Sequence, residues 1–299
     1  MSPNSGPVPG RDAETLRVVQ LSDVHISASS GRDPASRAAL LAEEIGPLTP
    51  SVIAVTGDLA EVDPRRLEDA LAAHAWAAAL ESDLGVPVLV IPGNHDIGEN
   101  DQHDEIAPDW RIPLVNSEFV AGFRHLWGGD RFAYSACGVT LIGINGQLLG
   151  SGISEEDEQL GWLRSELERV RAPWVLLTHQ PLLLPDGSLP TKHWGLPPER
   201  ARLKLAALFR ETGTAPAEVL AGHLHCYAAR QQGPTVHITC PSLSHTVPEE
   251  ALARLAESEA VTGFLVHDLR PGAFSHWLVE RGRGAPHSHD ISAMSSSAS

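Results

Sequence analysis

Five short stretches of the chain end in residues able to bind cations or move protons: SDVH (Ser22–His25), TGDL (Thr56–Leu59), GNHD (Gly93–Asp96), THQP (Thr178–Pro181) and GHLH (Gly222–His225). Each follows an apolar run. Taken alone, an Asp or Asn after a strand is ordinary turn chemistry. Together they offer Asp23, His25, Asp58, Asn94, His95, His179, His223 and His225, all nitrogen or oxygen donors without a thiolate among them. Gathered in one place, such groups would leave carboxylates and imidazoles unpaired unless a cation joined them. Asp23-Val24-His25 and His223-Leu224-His225 space their donors two residues apart, which in an extended segment puts both on one face. Imidazole with carboxylate and amide suits Mn, Fe or Zn rather than Ca. One ion takes three or four protein ligands plus water; seven suit two ions about 3.5–4 Å apart that share a carboxylate.

The elements that must position these residues are strands. LRVVQLSD, SVIAVTGD, PVLVIPGNHD, VTLIGINGQ and PWVLLTHQP read as the first five, and EVLAGHLH, TVHITCPS, GFLVHDL and AFSHWLVE follow. Helical patterns alternate with the earlier ones. Pro34 starts a helix that Gly46 stops, and Asp63 caps another with Pro64 in its first turn, running towards Gly85. Leu160, Leu163, Leu167 and Val170 recur at helical spacing, and PERARLKLAALFRETG forms a helix ending before Gly213. This alternation predicts an α/β or α+β layering in which the carboxyl ends of the strands form the ligand crevice. The later strands succeed one another with little helix between, so the second half is expected to form a largely antiparallel sheet. Residues 100–132 have weak periodicity and are expected to be loop and irregular helix.

Bulk properties narrow the class. The chain has 299 residues, 42% of them hydrophobic, enough for a well-buried core. Its formal charge of −16, from 22 Lys and Arg against 38 Asp and Glu, with no basic run, excludes general nucleic-acid binding. An anionic small substrate is still compatible, because bound cations invert the local field. No apolar stretch approaches the about 20 residues of a membrane span, and no basic start precedes an apolar run at the N-terminus. Cys137, Cys226 and Cys240 are odd in number and widely spaced, which argues against a disulfide framework. Cys226 should point away from His225 as a packing residue. These readings point to the cytoplasm. Residues 1–15 and 281–299 read as a flexible N-terminus and a disordered tail flanking one domain over 16–280.

The ordered series Asp23-Val24-His25, Gly57-Asp58, Gly93-Asn94-His95-Asp96, His179 and Gly222-His223-Leu224-His225 resembles the calcineurin-like metallophosphoesterase superfamily. In spacing and size it is most similar to the bacterial class III cyclic-nucleotide phosphodiesterases and related phosphohydrolases. The resemblance implies a four-layer α/β/β/α sandwich of two mixed sheets. It also implies that Asp23, His25 and His225 hold one metal, that Asn94, His179 and His223 hold a second, and that Asp58 bridges both. A hydroxide shared by the metals would attack phosphorus in line. His95 matches the family's catalytic histidine, and Asp96 would orient it. One departure is visible: many relatives carry His-His-Pro where this chain has His179-Gln180-Pro181.

The substrate must be read by groups outside the ligand set. Asn94 and His95 border the reacting position, and two cap-like inserts, near 97–135 and 182–200, offer aromatics beside cations: Trp110, Arg111, His125 and Trp127 in one, Lys192, His193, Trp194 and Arg200 in the other. Of these, Lys192, His193 and Arg200 are the candidate substrate contacts. The expected activity is hydrolysis of a small organic phosphate, a monoester or diester, with a nucleotide among the candidates. The alternatives are a protein serine/threonine phosphatase of the same superfamily and a non-catalytic scaffold. A scaffold should have lost ligands, and none of the seven is missing.

Overall fold

The computed structural model describes residues 14–61, 63–101, 112–193, 195–246 and 255–281. Two mixed sheets lie face to face. The first is built around β1 (Leu16–Leu21), β2 (Val52–Thr56) and β3 (Val88–Ile91), which run parallel, with the hairpin β10 (Gly263–Arg270) and β11 (Ala273–Glu280) added antiparallel at β1. In the second, β5 (Val139–Gly143), β6 (Trp174–Leu177), β7 (Glu218–Ala221) and β9 (Thr235–Thr239) are parallel. β4 (Phe132–Ala136) and β8 (Ala228–Gln232) close its edges antiparallel.

Alternation along each strand divides the core into three layers. Val19, Leu21, Ile53 and Val55 face outward onto α1 (Pro34–Ile45) and α2 (Leu67–Leu84), meeting Leu41, Ile45, Trp76 and Leu80. Their neighbours Val18, Val52 and Ala54 turn inward and meet Leu141, Val175, Leu177 and Leu220 of the opposite sheet. Ile142, Leu176 and Val219 cover the far side, packed on Leu163 and Leu167 of α5 (Ser154–Arg169) and Leu205 of α6 (Glu199–Thr212). The result is the expected α/β/β/α sandwich.

Helix punctuation follows the sequence in part. Asp33 caps α1 by accepting from the Ser36 amide, Pro34 opens it, and Gly85 ends α2 at φ 66°. Asp63 does not cap α2, which begins at Leu67; its carboxylate instead takes the Arg65 amide at 2.8 Å in a preceding turn. The second half is not largely antiparallel. The crossovers through α5 and α6 enforce parallel pairing of β5, β6 and β7, and β8 is displaced to the edge so that β7 pairs with β9 in parallel. Within the weakly periodic region, α4 (Ser117–Trp127) is a regular helix capped by Asn116, followed by a β4–β5 hairpin with Cys137 and Gly138 both at positive φ. Trp127 packs on Phe123 and His74, so it is a core residue and not a substrate platform. Trp110, Arg111 and Trp194, with residues 1–13 and 282–299, lie outside the described residues. Among the described residues no helix is long and apolar enough to cross a membrane.

Candidate metal centre

The loops leaving β1, β2, β3, β6 and β7 meet between the two sheets' carboxyl ends, and the predicted donors meet with them. Asp23, His25, Asp58 and His225 form one buried group and Asp58, His179 and His223 another, each with its ligand atoms within 4.8 Å of one another. Asp58 belongs to both. Asn94 completes the second group, its Oδ1 3.0 Å from His179 Nε2.

The geometry that gathers them is not the extended spacing expected from sequence. Asp23, His25, Asp58, His223 and His225 all adopt left-handed backbone, with φ of 52, 48, 51, 67 and 48°. Such φ values are uncommon outside glycine and concentrate at functional sites. The turns are held by neighbouring backbone: Asp23 N donates to Gly57 O and His25 N to Asp58 O, both at 3.0 Å. Asp23 and His25, like His223 and His225, are thus brought together by left-handed backbone at both residues of the pair. The motif glycines make room. A side chain at Gly93 would overlap Asp58 Oδ1, and one at Gly222 would overlap Ser22 Oγ and crowd Asp23 Oδ2 at 2.6 Å.

The donor arrangement fits cations. His179 Nδ1 donates to the Thr56 carbonyl at 2.7 Å, which leaves Nε2 as a lone pair. That nitrogen faces Asn94 Oδ1, His223 Nδ1 at 3.1 Å and Asp58 Oδ2 at 3.3 Å, two of them oxygens that can only accept. His225 repeats the pattern. Its Nδ1 donates to the His245 carbonyl at 3.0 Å while Nε2 faces His25 Nε2 and Asp23 Oδ1, both at 3.2 Å. Acceptors converging without enough protons between them require positive charge. Electrostatics carries the same demand. Burial opposes charge on His179, yet Asp58 lifts its pKa to about 10. Burial also works against an ionised Asp58 and Asp23, but His179 and His95 for the one, and His225 for the other, hold both carboxyls below their ordinary range. Burial pushes His25 and His223 down to about 3, so both offer neutral nitrogen.

His95 stands beside this set rather than in it. It shares the single helical turn α3 (Asn94–Ile97) with Asn94, where adjacent residues point about 100° apart. Its amide donates to Asp58 Oδ1 at 2.9 Å, and its Nε2 lies 3.9 Å from Asp58 Oδ2 with 27% of the side chain exposed. Asp96 does not orient it, contrary to the sequence expectation. His95 Nδ1 is bonded to the Glu61 carbonyl at 2.8 Å, while Asp96 accepts from the amides of Leu59, Ala60 and Gly93. Asp96 therefore ties the Asp58 loop to the β3 exit. Burial and the neighbouring Asp58 push its pKa up to about 6.

Three partners escaped the sequence reading. Glu99 accepts from Asn94 Nδ2 at 2.9 Å and so turns the amide oxygen towards His179; burial pushes it up to about 8. Glu61 contributes only its carbonyl, which no side-chain pattern signals. His245 lies tilted against His25 and edge-on to His225, with ring centroids 5.1 and 4.6 Å away, and these three form a further cluster of ligand atoms. It sits five residues beyond Cys240, at the exit of β9, a strand end not counted with the other five. Of the insert residues, Lys192 is exposed and His193 Nδ1 accepts from the Gly195 amide at 3.0 Å. Arg200 is committed to Asp101 at 3.0 Å and to the Gly150 carbonyl, so it braces the two inserts instead of facing substrate. Cys226 is buried among Leu184, Leu196, Leu224 and Leu255, as a packing residue should be.

Comparison with known proteins places these features in one class. The sequence model for calcineurin-like phosphoesterases matches residues 16–227, and the chain belongs to that family. It is a hydrolase acting on phosphoric esters, of a family that uses a dinuclear metal centre. A protein of Synechococcus described as a probable cyclic nucleotide phosphodiesterase is 26% identical over 242 residues, covering 77% of this chain and 82% of that one. A bovine serine/threonine-protein phosphatase is 26% identical over 150 residues, 48% of this chain, which spans only 42% of the bovine protein's length. The fold matches a dimetal phosphatase from Danio rerio with a TM-score of 0.56 at 15% identity, over 89% of this chain and 96% of that one.

Proposed function

We propose that the chain hydrolyses a small organic phosphate ester at a dinuclear centre held by Asp23, His25, Asp58, Asn94, His179, His223 and His225. The observation that carries this reading is the convergence of His179 Nε2, Asn94 Oδ1, His223 Nδ1 and Asp58 Oδ2, with the His179 proton already committed to Thr56. Two bound cations, drawn from Mn, Fe or Zn, would supply Lewis-acid charge for phosphoryl oxygens and acidify a water. Asp58, common to both clusters, would position the two halves of the site against each other. His95, with Nδ1–H fixed on Glu61, presents Nε2 at the rim, where it would steady a phosphoryl oxygen or carry a proton to the departing oxygen. The neutral Asn94 amide, aimed by Glu99, would keep the second half of the site positive enough for an anion.

The test is a hydrolysis screen of the full chain after loading with Mn, Fe or Zn, over phosphomonoesters, linear diesters, cyclic nucleotides and a phosphoserine peptide. Turnover of small esters in proportion to bound metal supports the reading. Turnover confined to the peptide would favour a protein phosphatase. Binding of metal without hydrolysis of any ester would overturn it.

A further inference from the structure

A cleft of about 340 Å³ opens beside the metal centre, lined by His25 and Glu61 together with Arg32, Arg37 and Arg281. Three guanidinium groups around one cleft are anomalous in a chain with 38 acidic and 22 basic residues. Many of its other arginines are ion-paired, Arg17 with Asp268 at 2.6 Å, Arg124 with Asp130 at 3.0 Å and Arg164 with Glu211 at 2.6 Å, while Arg171 and Arg202 are scattered singly and meet only backbone carbonyls. Here only Arg281 has such a partner, Glu44 at 3.0 Å; among the described residues no carboxylate makes an ion pair with Arg32 or Arg37. Arg37 is half-buried and, beyond the burial, feels the repulsion of Arg32 and Arg281, offset in part by Glu61. Like charges gathered around one cleft, with a single ion pair among the three, favour an anion there.

The wall's position says which part of a ligand that anion would belong to. His25 lies in the metal cluster, and Glu61 is the residue whose carbonyl holds His95. The cleft therefore extends from the side of the centre on which His95 would serve the departing group. Leu40, exposed to 62%, and half-buried Leu243 add apolar surface to its lining. We propose that the cleft binds the leaving-group arm of the substrate, and that this arm carries a second phosphate gripped by Arg32, Arg37 and Arg281. The inference rests on the phosphoesterase reading above and narrows it to esters with two phosphates separated by an organic group.

The experiment compares adenosine 3′,5′-bisphosphate with adenosine 5′-monophosphate, and the dinucleotide pApA with ApA, on the metal-loaded full chain and by calorimetric titration after chelation. The doubly phosphorylated members should be preferred at least tenfold in kcat/KM, and the bisphosphate should bind the chelated protein tenfold more tightly. Arg32→Gln with Arg37→Gln should collapse both preferences to within twofold, and Arg37→Lys should retain most of them. Arg32 is exposed, so Arg32→Gln alone tests the wall without risk to folding and should lower the preference about threefold. Hydrolysis of the monophosphate or ApA with no preference for the second phosphate would sink the cleft assignment and leave the phosphoesterase reading standing. An arginine-dependent preference in calorimetry without any hydrolysis would uphold the cleft and sink that reading. A preference that survives the double substitution would place the second phosphate elsewhere.

Discussion

The ring of His95 is aimed by the carbonyl of Glu61, 2.8 Å from Nδ1, and this bond fixes which nitrogen faces the metal cluster. A carbonyl can only accept, so Nδ1 carries the proton and Nε2 is available for exchange with substrate. The residue that orients the histidine is thus 34 positions away in the chain, not the adjacent Asp96. His95→Ala should keep both metals and slow turnover by about 10²-fold or more, the usual size of an acid–base or electrostatic contribution. Metal analysis beside steady-state kinetics checks this; loss of an ion in the variant would make His95 a ligand.

Asp58 behaves oppositely. Its Oδ2 approaches His179 Nε2 to 3.3 Å and His25 Nε2 to 3.9 Å, one in each half of the site. Asp58→Ala should reduce metal content from two ions to at most one and lower activity by about 10³-fold. Two tightly bound ions in that variant would remove the bridging role.

Strand-end chemistry was legible in the sequence because it depends on residue type and order alone. The left-handed turns at Asp23, Asp58 and His223 were not, since they arise from hydrogen bonds between loops of different strands, such as Asp23 N to Gly57 O. Asp96 was misread for a related reason. Adjacency to His95 suggested contact, but on a helical turn neighbours diverge, and the carboxylate met the Leu59 and Ala60 amides instead. The β8 strand AARQQ was hidden because an exposed edge needs no apolar alternation. Arg200 could be picked as a cation near a Trp, but only the fold shows Asp101 already holding it.

Glu99 orients the proposed ligand Asn94 without being a ligand itself. By accepting from Asn94 Nδ2 at 2.9 Å it forces the amide oxygen, rather than the amide nitrogen, towards His179. Glu99→Ala should weaken the second metal by about 10- to 100-fold, as removal of such supporting partners does, and leave the first metal's affinity unchanged. Stepwise Mn or Zn titration by calorimetry separates the two. Equal affinities in variant and parent would reduce Glu99 to a packing group.

Gly222 is required by space rather than by flexibility. A methyl group there would collide with Ser22 Oγ and approach Asp23 Oδ2 to 2.6 Å, displacing the carboxylate that also accepts from His223 N at 3.0 Å. Gly222→Ala should destabilise the chelated protein by about 1–3 kcal/mol, as overpacking does, and weaken the first metal. Urea unfolding gives the first quantity. An unchanged midpoint would mean the loop yields without strain.

The layer between the sheets holds a buried titrating pair, Glu218 and His267. Gln20 donates its Nε2 to Thr56 Oγ1 and the Ala221 carbonyl, so its Oε1 accepts the Nε2 proton of His267 at 3.1 Å. His267 Nδ1 is then a bare lone pair, and Glu218 Oε2 faces it from the other sheet at 3.8 Å. Burial raises Glu218 from 4.5 to about 8, so it stays protonated and uncharged in the fold. Burial, then the nearby His276, pushes His267 well below 6.5. The native state therefore holds the Glu218 proton to about pH 8, whereas the unfolded chain releases it near 4.5, and stability falls as pH rises between the two. His267 opposes this below 6.5, where the unfolded chain binds a proton that the fold refuses. Between pH 6.5 and 8 only Glu218 of this pair contributes, about 1.4 kcal/mol per pH unit, alongside Glu99, which burial also raises to about 8. Glu218→Gln, which has no proton to exchange, should lose that share of the slope in chemical unfolding of the metal-loaded protein. A parent and variant that lose stability in parallel from pH 6.5 to 8 would show that Glu218 is already ionised in the fold.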